Sequence, residues 1–304
     1  MAETSTLTII TPSLNQGQFL EQTICSVLDQ GYPNLQYLVV DGGSTDASLH
    51  ILDRYSDQVT CLARTCTDPG EAINAALPYA TGELVGVLGS DDLYLPGALE
   101  TVAEAWQHAG RPDWLAGSCE HIGLADEPIG ELHASAPSSL APLLKHDEGH
   151  FPLAGTFYRN DLLQRFGGFS ENLGSAFDYE MACRLIADGH HPTIVPTMVG
   201  AVRQHPSSRS ALRTIEQGQA YITAAEHYAD HLPLAERYAL WANCEQRRRI
   251  FAIAEAEAAG SDAKRRLWQR LLRHPWWLAD EHYRKALLSG SRHAPDELAT
   301  TPAA

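Results

Sequence analysis

Two adjacent carboxylates, Asp91 and Asp92, close the stretch Gly82-Glu83-Leu84-Val85-Gly86-Val87-Leu88-Gly89-Ser90-Asp91-Asp92-Leu93-Tyr94. The run Leu84 to Leu88 is apolar on both alternating faces. That pattern fits a central strand of a parallel sheet covered by helices, and the flanking Gly82 and Gly89 favour a strand over a buried helix segment. Open α/β sheets bind ligands outside the carboxyl ends of their strands, so Asp91 and Asp92 are expected where ligands go. Side by side the two acids repel, and a hard divalent cation held by oxygen would relieve that repulsion. The alternative for one of them is a cap on the helix expected near Pro96.

The elements that must position this pair are readable on either side of it. Leu7 to Thr11 is short and β-branched and is expected to end at Pro12 as the first strand. Phe19, Leu20, Ile24, Val27 and Leu28 recur at helical spacing up to the stop Gly31-Tyr32-Pro33. Leu35 to Val40 reads as a second strand that delivers Asp41 at its tip, before Gly42-Gly43-Ser44-Thr45-Asp46. Ser44 or Thr45 is the expected cap of the helix with Leu49, Ile51 and Leu52, and Val59 to Ala63 is the third strand. Asp68-Pro69-Gly70 opens the helix carrying Ile73, Ala76 and Leu77. This alternation predicts a parallel sheet over residues 4–110. From 111 to 210 strands are expected only at 113–117, 153–158 and 192–196. There Asp178 begins a helix with Met181, Ala182, Leu185 and Ile186 on one side, and helix capping is the alternative role for it. Residues 211–290 read as helices over 211–230, 233–259, 261–273 and 276–288, and residues 291–304 as a disordered tail.

Composition narrows the function. With 38 acidic against 22 basic residues the formal charge is −16, which argues against a nucleic-acid surface but not against an anionic substrate bound through a metal ion. Six cysteines without a CxxC pair suit reduced core thiols in a cytosol. The amino terminus lacks a basic leader segment and no 18 apolar residues run together, so the expected location is cytoplasmic. Charge reverses over 264–285, where Lys264, Arg265, Arg266, Arg270, Arg273, Arg284 and Lys285 face only Asp280 and Glu281. With Leu267, Trp268, Leu271, Leu272, Trp276 and Trp277 among them, the expectation is either peripheral membrane contact at the inner face of the cell membrane or packing, including a homodimer.

Four motifs in order, Thr11-Pro12-Ser13-Leu14-Asn15, Leu38-Val39-Val40-Asp41-Gly42-Gly43-Ser44-Thr45-Asp46, Asp68-Pro69-Gly70 with Ala72 and Asn74, and Gly89-Ser90-Asp91-Asp92-Leu93-Tyr94, resemble the family 2 glycosyltransferases of the GT-A fold. The resemblance is strong over the first hundred residues, looser to about 210, and absent beyond. It implies a Rossmann-like mixed α/β sheet as a GT-A domain over 1–210, with a nucleotide-binding half at 4–110 and an acceptor half at 111–210. It further implies inverting, non-processive transfer of a sugar from a nucleotide diphosphate donor, pyrimidine being the expected base, to a glycan or lipid-linked acceptor of bacterial cell-surface type. By the same resemblance Thr11, Pro12, Ser13 and Asp41 surround the base, Asp68 lines that pocket, Asp91 contacts the ribose, and Asp92 is the main ligand of Mn²⁺ or Mg²⁺. Asp178 is implied as the catalytic base, with Glu180 as its rival, and His205 as a residue reaching the metal or diphosphate. Neutralising the charge of a leaving diphosphate is independently a task for such a cation. The Gln-x-x-Arg-Trp sequence of processive synthases is absent. Two other readings are a sugar nucleotidyltransferase, against which Thr11 to Gly17 carries no Lys or Arg, and a catalytically silent nucleotide-sugar-binding scaffold. Hydride transfer is disfavoured because no Gly-x-Gly-x-x-Gly follows a predicted strand.

Overall fold

The computed structural model describes residues 5–171, 173–205, 214–259 and 262–289. The chain divides into two compact units, residues 1–212 and 213–304. The expected tail at 291–304 lies outside the described residues.

The first unit is built on one nine-stranded mixed sheet. Its strands are β1 (Leu7–Ser13), β2 (Leu35–Asp41), β3 (Thr60–Ala63), β4 (Leu84–Val87), β5 (Leu93–Tyr94), β6 (Trp114–Ile122), β7 (Pro128–Leu132), β8 (Thr156–Arg159) and β9 (Thr193–Arg203). They lie in the order β3-β2-β1-β4-β8-β6-β9-β5, with β7 paired to β6. Pairings β1–β2, β1–β4, β2–β3 and β6–β9 are parallel, whereas β8 is antiparallel to both β4 and β6. It follows that β1, β2, β3, β4, β6 and β9 all point to one edge of the sheet. That edge collects the ends of the strands named for their acidic tips.

The apolar spacing of the helices puts their inner faces on this sheet. α1 (Leu20–Leu28) buries Leu20, Ile24 and Val27, and α4 (Ala98–His108) buries Leu99, Val102 and Trp106, in a core shared with Leu7, Ile9, Val39 and Leu115. Among the described residues this unit also holds α2 (Ser48–Arg54), α3 (Pro69–Ala76), α5 (Leu140–Lys145), α6 (Asn160–Arg165) and α7 (Phe177–Ala187).

Several boundaries differ from expectation for physical reasons. Pro12 does not end β1, which runs on to Ser13. Even-numbered residues of this strand face β4, as the bond from Leu88 N to Ile10 O shows. Pairing with β4 stops at Ile10↔Val87, so the donor that Pro12 lacks points where no partner strand remains. Pro196 likewise does not end β9, because the register with β6 slips between Val195 and Met198 and the strand continues through that bulge to Arg203. Neither Asp91 nor Asp92 caps α4; its N-cap position is Gly97 at φ +78°, with no side-chain cap. Ser44 and Thr45 do not cap α2, whose Ser48 N–H is taken by Asp46 Oδ1. Strands β5 and β7 are too short and too polar, respectively, to register as apolar runs.

The second unit holds α8 (Thr214–His227), α9 (Leu234–Ala258), α10 (Ala263–Arg273) and α11 (Glu281–Ser289). Ile253, Ala256, Leu267, Leu271, Trp277, Tyr283 and Leu287 form its own core. Among the described residues no helix is long and apolar enough to cross a membrane. All six cysteines are free; Cys66, Cys119, Cys183 and Cys244 are buried, but Cys61 is exposed, contrary to its reading as core. Burial pushes the Cys244 thiol up to about 11, so it stays protonated at neutral pH.

Candidate functional site

The convergent edge of the sheet carries the acids singled out from sequence. Asp41 is the last residue of β2 and pairs in register with Ser13, the last residue of β1. One carboxylate oxygen of Asp41 accepts from Gly43 N at 3.0 Å and Ser44 N at 2.9 Å, which fixes the turn. Its other oxygen, Oδ2, is buried without a hydrogen-bond partner, and so is Ser13 Oγ. Buried polar atoms are rarely left orphaned, and two on neighbouring strand ends mark a place for a ligand with polar edges. Thr11 lies two residues earlier on the same face and is already engaged, its hydroxyl 3.1 Å from Tyr37 OH, whereas the buried Pro12 between them belongs to the other face.

Asp91 and Asp92 follow β4, and the structure gives them different surroundings. Asp91 Oδ2 lies 3.0 Å from His205 Nε2. Asp92 is nearly buried, and its Oδ1 accepts the backbone N–H of Arg203 at 2.9 Å. One carboxylate oxygen of Asp91 thus faces the His205 imidazole, and one of Asp92 faces the backbone of Arg203. Local sequence does not contain this arrangement: Arg203 at the end of β9, 111 residues after Asp92, and His205 just beyond it are brought against the pair.

Arg203 is the site residue that sequence reasoning passed over. Its side chain is about 1% exposed. It donates to Asp91 O at 2.9 Å, Gly123 O at 3.1 Å, Gln22 Oε1 at 3.0 Å and the Asp126 carboxylate, and it lies over the Phe19 ring. Gln22 and Arg203 together hold the Asp126 carboxyl below its ordinary value. One guanidinium thus ties α1, the Asp91-Asp92 loop and the β6–β7 turn to the end of β9. The only sequence signal was a basic residue closing an apolar strand.

Asp68 is the N-cap of α3, accepting from Glu71 N at 3.2 Å. Asn74, on the same helix, donates to Phe169 O at 2.8 Å and accepts from Phe169 N at 2.8 Å. A Cβ on Gly70 would lie 2.5 Å from Ser170 O, so that close approach requires glycine. These contacts dock the segment leading into α7 onto α3, against which residues 174–176 also pack. Asp178 sits in the first turn of α7; its Oδ1 accepts from Tyr179 N at 2.7 Å, and the N-cap position is Ala176. Glu180 is buried and ion-paired at 2.9 Å with Arg184, which also holds Phe166 O and Gly168 O. Glu180 is committed to the fold, and the i,i+4 spacing to Arg184 was the signal for it.

Among the described residues no three His, Cys, Asp or Glu side chains form a ready cation cage. A carboxylate and an imidazole from Asp91 and His205 nevertheless form a donor set that suits Mg²⁺ or Mn²⁺ when substrate phosphates supply further oxygens. A wider cavity of about 680 Å³, lined by Gly82, Glu83, Arg111, Arg159, Asn160 and Gln164, lies at the opposite edge of the sheet, where β4 begins and β8 ends.

The sequence matches the model of glycosyl transferase family 2 over residues 8–161, half of the chain. The chain belongs to glycosyl transferase family 2. It is 26% identical over 172 residues to an uncharacterized glycosyltransferase of Nostoc sp., covering 52% of each chain. Over 102 residues it is 36% identical to TuaG of Bacillus subtilis, a protein named for teichuronic acid biosynthesis, covering 32% of this chain and 40% of that one. The chain spans about half the length of the first curated relatives it matches. Among solved structures, S. aureus TarS 1–349 in complex with UDP-GlcNAc aligns with a TM-score of 0.65 at 18% identity, over 96% of this chain and 82% of that one. The mannosyltransferase PcManGT from Pyrobaculum calidifontis, in complex with GDP-Man and Mn²⁺, aligns with a TM-score of 0.55 at 22% identity, over 95% and 85%. The family's GT-A fold, a Rossmann-like mixed sheet, is accordingly the fold of residues in the first unit, and the helical unit follows it.

Proposed function

We propose that this chain is an inverting, metal-dependent, non-processive glycosyltransferase that moves a sugar from a nucleotide diphosphate donor to a hydroxyl of a glycan or lipid-linked acceptor. The observation that carries the reading is the pair of orphaned buried atoms, Asp41 Oδ2 and Ser13 Oγ, on the same sheet edge as Asp91 and His205. Asp41 Oδ2 can only accept, so it selects a base that offers a ring N–H, as uracil, thymine and guanine do. Membership in the family and the UDP-GlcNAc and GDP-Man held by its structural neighbours support a nucleotide-sugar donor.

Asp91 and His205 would hold the divalent cation, whose charge stabilises the leaving diphosphate. Asp92 and Arg203 keep that pair in place through the bond between Arg203 N and Asp92 Oδ1. Asp68 caps the helix that borders the donor side, and Asn74 and Gly70 hold the segment before α7 against it. Asp178 takes the proton from the acceptor hydroxyl as oxygen attacks the anomeric carbon. A general base contributes on the order of 10²- to 10⁴-fold, so Asp178→Asn is expected to lower kcat by about that much with donor affinity unchanged. Calorimetry with UDP-, dTDP-, GDP- and CMP-sugars, with and without Mn²⁺, paired with initial rates of the variant, tests both parts. Undiminished transfer by Asp178→Asn, or nucleotide-sugar affinity indifferent to Mn²⁺, would remove the base or the metal from the scheme.

A further inference from the structure

Among the described residues twelve large apolar side chains are exposed, and eight of them lie in the helical unit. Two belong to α10: Trp268 is 54% exposed and Leu272 83%, while Leu267 and Leu271, on the adjoining flank of the same apolar face, enter the core. Projected at 3.6 residues per turn, Lys264, Trp268, Leu272 and Arg265 fall within an arc of about 100°, and Arg273 and Arg266 continue it. Packing within the unit therefore covers only one flank of the apolar face and leaves the Trp268 and Leu272 flank exposed to water, which is unfavourable.

The charges beside the stripe are also unspent. Arg270 pairs with Glu255 at 2.9 Å, but Lys264, Arg265, Arg266 and Arg273 make no ion pair among the described residues, in a chain whose formal charge is −16. A chain this acidic has carboxylates enough to neutralise four exposed cations, and the helix leaves them open. An isologous contact with a second copy would set these cations against their own counterparts. Trp and Leu side chains flanked by unpaired Lys and Arg instead match an anionic bilayer surface. There indole and leucyl groups enter the headgroup region and the cations meet lipid phosphates.

We propose that the outward face of α10 docks on an anionic lipid bilayer, with Trp268 and Leu272 as the inserted groups and Lys264, Arg265, Arg266 and Arg273 as the phosphate contacts. This does not depend on the sugar-transfer reading, since none of these residues belongs to the site at the sheet edge.

The full chain is to be sedimented with vesicles of phosphatidylcholine alone and of phosphatidylcholine mixed with phosphatidylglycerol. Binding is expected only to the mixed vesicles, and is expected to fall away at about 1 M salt, where the screening length is roughly 3 Å. Arg265→Glu/Arg266→Glu/Arg273→Glu should weaken partitioning by roughly a hundredfold or more. Trp268→Phe should remove most of the tryptophan quenching caused by brominated lipid. Circular dichroism checks that the exposed substitutions leave the helices intact, and the milder Arg265→Gln/Arg266→Gln/Arg273→Gln replaces the triple Glu variant if they do not. Equal binding to neutral vesicles, or protein that stays in the supernatant at low salt, overturns the proposal. So does sedimentation velocity in which the same substitutions abolish self-association, because the face would then belong to a second copy.

Discussion

At the scale of the residue, Asp41, Asp91 and Asp92 have the same side chain and three different positions. Asp41 spends one oxygen on its turn and keeps the other unpartnered, so Asp41→Asn, which can turn an amide N–H toward the base, is expected to weaken nucleotide binding tenfold or more, about 1–3 kcal/mol, without unfolding the chain. Isothermal calorimetry with the preferred nucleotide reads this directly. Asp91→Asn should abolish the increment in nucleotide affinity that Mn²⁺ provides, whereas Asp92→Asn retains an oxygen for Arg203 N–H and should keep most of it. Equal loss in the two variants would return the metal role to both acids. The acids themselves were legible from sequence because each stands at the end of a short apolar run with a glycine close by. Their separate surroundings were not, since these depend on which oxygens meet Arg203 and His205, and both residues come from far along the chain.

At the scale of the element, two junctions decide whether the site is assembled. The first is the docking of residues 169–171 on α3 through Asn74 and the bare Cα of Gly70. Gly70→Ala forces a methyl into Ser170 O and should cost about 1–3 kcal/mol while shifting the start of α7, lowering kcat more than donor affinity. Steady-state kinetics with a saturating donor separates the two. The second is the buried Glu245 of α9. Its Oε2 accepts from the indole N–H groups of both Trp276 and Trp277 at 2.8 Å, and its Oε1 from Arg248 at 3.1 Å. Burial alone would raise this carboxyl, but Trp277, Trp276 and Arg248 bring it below its ordinary value. Being depressed in the folded state, it contributes stability that is complete above the unfolded carboxyl value of about 4.3 and is lost as pH falls through the lower folded value. Helix content followed by circular dichroism should therefore be level at neutral pH and drop in acid. Glu245→Gln should flatten that acid limb. The helices were legible from apolar spacing and from punctuation at Pro233 and Pro275. Trp277, which sequence left open between membrane contact and packing, is about 1% exposed, and a carboxylate 32 positions earlier captures its indole.

At the scale of the whole molecule, the two units have separate cores, one around Ile9, Val39 and Leu115 and one around Leu267, Trp277 and Tyr283. Trp277→Ala should destabilise the second by about 3–5 kcal/mol, with hydrogen-exchange protection lost over 214–289 and nucleotide binding by the first unit preserved. Within the first unit the sequence-based halves, 4–110 and 111–210, share one sheet, because β5 from the earlier half pairs with β9 from the later one at Leu93↔Ala201 and Tyr94↔Gly200. That two-residue strand starts immediately after Asp92, and Leu95 N donates to Val199 O just beyond it. The Asp91-Asp92 loop is therefore sewn at one end to β4 and at the other to the strand that carries Arg203 and His205. A segment fixed at both ends cannot be lengthened or exchanged without unpicking β9. Attempts to change the accepted donor by transplanting residues 89–95 from a relative should yield insoluble protein, whereas single side-chain changes around Ser13 leave the stitching untouched. In this scaffold the route to a new donor runs through point substitution and not through loop exchange.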